Sequence, residues 1–141
     1  MIMKRILFVC TGNSARSQMA EGFARHLSRG KVEAFSAGME PSALNPYAVR
    51  VMAEKGIDIS PQQSKAFDEN LALRMDIVVT VCGSAEERCP VLPLQVKRLH
   101  WPLEDPARVR STEAEILATF REVRDRIETC VRALVSEALE G

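Results

Sequence analysis

Arg5-Ile6-Leu7-Phe8-Val9-Cys10-Thr11-Gly12-Asn13-Ser14-Ala15-Arg16-Ser17 is the stretch on which the fold of this chain turns. Its apolar run, with β-branched and aromatic residues, has the pattern of a parallel strand covered on both faces. The run stops at a cysteine, crosses a short polar turn and reaches an arginine, where a helical pattern begins. A loop from a buried strand into a helix gathers backbone N–H groups on one point, and the helix N-terminus adds partial positive charge. Thr11, Gly12, Asn13, Ser14, Ala15, Arg16 and Ser17 are therefore the candidate oxyanion-binding set. Gly12 and Asn13 stand where such a loop needs unusual backbone angles. Loop donors would hold the Cys10 sulfur as thiolate, a nucleophile. Arg16 would grip two oxygens of a tetrahedral anion, a geometry that lysine lacks. The bland alternative is a buried cysteine at a strand end with an unrelated surface arginine.

Outward from this stretch, Met19, Phe23 and Leu27 line one side of the first helix, with Ala20 and Ala24 beside them and Gly30 as its stop. Val32 to Ser36 reads as a second strand. Asn45-Pro46 starts a helix that Gly56 ends, and Ser60-Pro61 opens another short helical piece. Asp76 to Val81 is the third strand and leads directly into Cys82. Lys97 to Trp101 is a weaker fourth. Thr112 and Glu115 form a capping box for a long last helix, whose apolar face is Ile116, Phe120, Val123, Ile127, Val131 and Leu134. Alternating strands and helices predict an α/β fold with a parallel sheet covered on both faces. Ligands of such sheets sit at the carboxyl ends of the strands, where both Cys10 and Cys82 fall.

A chain of 141 residues is expected to form one domain, 1–141. Its formal net charge of +0 gives no field favouring nucleic acid or an acidic membrane. No run approaches the ~18 apolar residues of a membrane span, and the N-terminal apolar run is too short for a signal-peptide core. The expectation is a cytoplasmic monomer. Four cysteines, Cys10, Cys82, Cys89 and Cys130, are too scattered for a secreted disulfide scaffold. They contain no Cys-x-x-Cys pair, and His26 and His100 lie far from them in sequence, so no metal is expected. Cys130 reads as a small core residue beside the apolar face of the last helix.

The Cys10-to-Ser17 loop resembles that of the low-molecular-weight protein tyrosine phosphatase fold, a three-layer α/β architecture with a four-stranded parallel sheet flanked by helices. Val81-Cys82-Gly83-Ser84-Ala85-Glu86-Glu87-Arg88-Cys89-Pro90 and His100-Trp101-Pro102-Leu103-Glu104-Asp105-Pro106 resemble one branch of it, the thioredoxin-coupled arsenate reductases. The resemblance implies a relay. Cys10 attacks arsenate while Asp105 protonates the departing oxygen, and Cys82 then attacks Cys10 so that arsenite leaves. Cys89 next moves the disulfide to Cys82–Cys89, which thioredoxin reduces. The resemblance implies no bound cofactor, and phosphate is the expected analogue of the substrate. On a continuous helix Cys82 and Cys89 would lie roughly 10 Å apart along the axis. A disulfide needs Cα atoms within about 7 Å, so such a bond requires the intervening segment to loop or unwind.

Some members bind potassium at positions matching Asn13, Glu21 and Ser36. Lys65 stands where those members carry a further aspartate ligand, and its ammonium is expected to take the cation's place, pairing with Glu21 and Asn13. Taken alone, Asp105-Pro106 is also a common turn, Cys82 a core residue and Cys89 an incidental one. The rival reading is a phosphatase of phosphotyrosine or another phosphomonoester, which needs only Cys10, Arg16 and Asp105. Against it, Ala107 follows Asp105-Pro106 where such phosphatases carry a ring-stacking aromatic. A third reading is a non-catalytic oxyanion or redox sensor.

Overall fold

Alternation along the first strand sorts the core. In the computed structural model, which describes residues 3–83, 90, 92 and 95–140, β1 (Lys4–Cys10) turns Ile6, Phe8 and Cys10 to one face and Leu7 and Val9 to the other. All five are buried, as a strand between two helical layers requires. β2 (Val32–Gly38), β3 (Ile77–Thr80) and β4 (Lys97–His100) complete a parallel sheet of order β2-β1-β3-β4. α1 (Arg16–Leu27), α2 (Pro46–Ala53) and α4 (Glu113–Glu140) pack on the Phe8 face. α3 (Glu69–Leu73) packs on the Leu7 face through Leu71 and Ala72. The chain leaves β1 toward one side of the sheet and returns as β3 on its other side. The carboxyl ends of β1 and β3 therefore flank the topological switch point, where ligands of such sheets bind.

The helix expected at Ser60-Pro61 is absent. Asp58 accepts the Ser60 N–H at 2.9 Å in a side-chain turn, and turns of this kind compete with helix. The helix of this region is α3 instead, capped by Asp68, whose carboxylate accepts the Asn70 N–H at 2.9 Å. One half of the expected capping box is seen, the Glu115 N–H donating to Thr112 Oγ1 at 3.2 Å, while the Glu115 carboxylate takes the Ser111 hydroxyl. Phe120, Val123, Ile127, Val131 and Leu134 are buried along one face. No described helix is long and apolar enough to cross a membrane.

Glu54, at the end of α2, ties that helix to α4. It accepts from Arg121 at 2.8 Å and from Arg124 at 2.8 Å, and Arg124 also donates to the Val51 carbonyl. Hydrogen bonding from Arg121, seconded by Arg124, holds the Glu54 carboxyl at about 2, down from 4.5. A carboxyl depressed by folding stabilises the fold above its unfolded pKa and loses that contribution as pH falls through the folded value. Glu54→Gln is therefore expected to lower the melting temperature at pH 7. The gap from wild type should close between pH 4.5 and about 2, read from thermal melts across that range.

Candidate active site

The carbonyls of the Cys10–Ala15 loop all point away from its centre. Cys10 O accepts from the Met39 N–H, Thr11 O from Glu40, Gly12 O from Ser42, Ser14 O from Asn45 and Ala15 O from Met19, at 2.8 to 3.2 Å. The Ser64 hydroxyl also donates to Gly12 O, and the Gln18 side-chain amide donates to Asn13 O. Every peptide here is trans, so each following N–H points opposite to its carbonyl, into the loop. One of them is visibly committed: the Asn13 N–H donates to Cys10 Sγ at 3.1 Å. Below the loop, α1 begins at Arg16 with no side-chain cap on its N-terminus. An anion in the loop would meet inward N–H groups and the positive end of a helix dipole together.

Asn13 carries the unusual backbone angle, with φ of 47°, a conformation asparagine tolerates better than most residues. Gly12 does not have a positive φ, contrary to expectation. A Cβ there would lie 3.1 Å from Ser42 Oγ, a tight contact that this exposed hydroxyl can relieve by turning. The Asn13 side chain donates to Ser17 Oγ at 2.7 Å, and Ser17 Oγ lies 2.9 Å from Cys10 Sγ. That oxygen accepts from Asn13 and still has its own proton and a second lone pair to share with the sulfur. The Asn13 N–H and the Ser17 hydroxyl thus converge on Cys10 Sγ. Cys10 is a free thiol, 2% exposed.

Arg16, the largest fully buried side chain among the described residues, reaches away from its own helix. Its Nη1 donates to the Val81 carbonyl at 3.1 Å and the Leu103 carbonyl at 2.9 Å, and Nη2 lies 3.7 Å from Asp105 Oδ2. The three expected parts of the site are thereby joined: the anion loop, the strand end that precedes Cys82, and the loop that carries Asp105. Asp105 caps a short 3-10 turn, Pro106–Arg108, accepting the Ala107 N–H on Oδ1 at 3.0 Å and leaving Oδ2 toward Arg16. Cys82 is buried just beyond the end of β3 and is disulfide-bonded. Cys89 and residues 84–88 lie outside the described residues. Cys130 on α4 is a free, partly buried thiol, and desolvation raises its pKa above the ordinary cysteine range, which makes it a poor nucleophile.

Several supporting residues escaped the sequence reading. Gln18 donates to both oxygens of Asn13 and to Gln63 O, and Gln62 donates to Gln18 Oε1 at 2.8 Å. Asn13 Oδ1 also takes the Lys65 N–H at 2.7 Å. An amide on the first turn of α1, directly after the anion loop, was the available signal. Gly38 is the other omission. A Cβ there would meet Asn13 N at 2.7 Å and Thr11 O at 2.8 Å, and backbone atoms cannot swing aside. Gly38→Ala is expected to displace the loop and lower kcat/KM by about 10²-fold, with about 1–3 kcal/mol of destabilisation from overpacking. Steady-state kinetics and denaturant melts check both.

Lys65 meets the expectation for its charge only on one side. Its ammonium lies 3.9 Å from Glu21 Oε1, but Asn13 is served by the Lys65 backbone N–H. Glu21 is also held by Arg25 at 2.9 Å and by the Ser36 hydroxyl at 2.6 Å. A buried carboxylate already facing two cations gains little from a third. Activity is therefore expected to be the same in potassium and sodium salts; a several-fold gain in potassium would count against Lys65 standing in for the ion.

Residues 5–140 match the family model of low molecular weight phosphotyrosine protein phosphatases. An arsenate reductase of Bacillus subtilis (strain 168) is 51% identical over 124 residues, 88% of this chain and 89% of the relative. Among solved structures, an arsenate reductase in the phosphate-binding state superposes with a TM-score of 0.80 at 38% identity, over 96% of this chain and 99% of that one. A thioredoxin-dependent arsenate reductase of Corynebacterium glutamicum gives a TM-score of 0.76 at 26% identity, covering 97% of this chain and 62% of that one.

Proposed function

The chain belongs to the low molecular weight phosphotyrosine protein phosphatase family, and from that premise we propose that it is a cytoplasmic arsenate reductase, a single domain acting as a monomer, which passes electrons from thioredoxin to arsenate through three cysteines. The observation that carries this reading is the disulfide-bonded Cys82, next in sequence to the residue whose carbonyl holds Arg16. Phosphate-ester hydrolysis needs the loop thiol, the arginine and an acid; it has no use for a second redox-active thiol at the same strand ends. The arsenate reductases among its relatives favour the same choice.

In the proposed reaction the inward N–H groups of the loop and the Arg16 guanidinium bind three arsenate oxygens. The Cys10 thiolate attacks arsenic, and the fourth oxygen departs as water with a proton from Asp105. The Cys82 thiolate attacks Cys10 Sγ. The S–As bond breaks with its electron pair passing to arsenic, so As(V) becomes As(III), arsenite leaves and a Cys10–Cys82 disulfide remains. Cys89 attacks Cys82 and frees Cys10. The Cys82–Cys89 disulfide that results is reduced by the dithiol of thioredoxin. A free Cys10 beside a disulfide-bonded Cys82 supports this order of exchanges.

The deciding experiment measures arsenite formed with thioredoxin, thioredoxin reductase and NADPH. Many arsenite ions per chain, with matching NADPH loss, are expected. One per chain and no more would mean a sensor. None, with rapid hydrolysis of p-nitrophenyl phosphate, would mean a phosphatase.

A further inference from the structure

Gly83 follows Cys82 and lies against the loop that carries Asp105. A Cβ built at Gly83 would stand 2.2 Å from the Leu103 carbonyl oxygen, 2.6 Å from its carbon and 3.1 Å from Glu104 N. These are backbone atoms, so the Gly83 main chain rests directly on the Leu103–Glu104 peptide with no space for a side chain. The same Leu103 oxygen accepts the Arg16 Nη1 hydrogen bond at 2.9 Å, and the other acceptor of that Nη1 is Val81 O at 3.1 Å. Arg16 is thus clamped between two carbonyls. One belongs to the residue before Cys82, and the other is held in place against the residue after it. Asp105, two positions beyond Leu103, lies 3.7 Å from Nη2 of the same guanidinium.

We propose that Gly83 is a positioning residue for the oxyanion site: its backbone seats the Leu103–Glu104 peptide, which in turn aims Arg16 and Asp105. The cysteine segment and the anion loop then form one mechanical unit. A glycine is required because every other residue would push the Leu103 carbonyl off Arg16. The guanidinium of Arg16 is fully buried, so it has no water to replace a lost carbonyl acceptor and would turn away from the anion. The coupling acts on binding of the anion itself, before any exchange between sulfurs begins. A residue beside Cys82 that served only the thiol relay would leave anion affinity untouched.

This inference rests on the reading of the Cys10–Ser17 loop as an oxyanion site, and the test separates the two. Oxidised protein, with Cys82 in its disulfide and Cys10 free, is titrated with inorganic phosphate by calorimetry. Wild type is expected to bind, and Gly83→Ala to bind about tenfold more weakly, the effect of one lost charge-assisted hydrogen bond. The rate at which iodoacetamide alkylates Cys10 without phosphate should stay within about twofold of wild type, because the Asn13 and Ser17 donors do not touch residue 103. General damage to the fold would change that rate as well, and such a change would overturn the assignment. If wild type binds phosphate and Gly83→Ala binds it equally, the coupling is wrong and the loop reading stands. If wild type does not bind phosphate, both fall. Should the variant fail to fold, amide exchange of the wild-type protein decides. Bound phosphate must slow exchange at Gly83 and Glu104, both outside the loop, and unchanged exchange there overturns the coupling.

Discussion

Cys82→Ser is expected to abolish arsenite formation with thioredoxin as the only thiol, while hydrolysis of p-nitrophenyl phosphate stays within about twofold of wild type. The asymmetry follows from where electrons enter. Attack by Cys10 on arsenic and departure of an oxygen leave arsenic as As(V). Reduction requires a second sulfur to take Cys10 as its partner and send the S–As electron pair to arsenic. Hydrolysis of the phosphate ester requires only water at the corresponding S–P adduct, after p-nitrophenol has left. Cys89→Ser should stop one step later, after a single arsenite per chain, with Cys10 trapped in a disulfide to Cys82. Peptide mapping of the arrested proteins distinguishes the two blocks. Sustained thioredoxin-driven turnover by either variant would mean that the three-sulfur relay is wrong.

Arg16→Lys should lower kcat/KM for arsenate by about 10³-fold. The guanidinium binds two carbonyls through one nitrogen, at 3.1 and 2.9 Å, and turns another toward Asp105 at 3.7 Å. A lysine ammonium is a single point that can satisfy the carbonyls or the anion, but not both in this geometry. Two lost charge-assisted bonds at about 1.5–3 kcal/mol each give about 4 kcal/mol, or about three decades of rate. Retention of more than about a tenth of wild-type kcat/KM would show that charge alone suffices there. Calorimetry with phosphate should place most of the loss in binding.

The parts of the site legible along the chain were those whose chemistry is local. β1 and the opening of α1 follow from an apolar run, a polar turn and a helical period within one short stretch, so Cys10, Asn13 and Arg16 could be assigned before any contact was known. The capping residues of α4 and its apolar face were equally visible. What failed had either a competing local signal or a cause elsewhere in the chain. The helix expected at Ser60-Pro61 yields to a turn whose neighbours are engaged by Gln18, from α1. Gly12 looked like a residue needed for its dihedral freedom, but its φ is not positive and the left-handed angle of the loop falls on Asn13.

From its sequence alone this protein was determined to be an α/β chain with a thiol and an arginine at the two ends of an anion loop, because strand, turn and helix signals depend on near neighbours. Only the tertiary structure decided how that loop is held. Its carbonyls are taken by residues 39, 40, 42, 45 and 64, Gly38 lies beneath it, and Arg16 is clamped between Val81 and Leu103. These partners come from distant segments brought together at the carboxyl ends of β1 and β3. A backbone carbonyl has no side-chain identity, so no residue pattern could have announced which ones would hold the arginine.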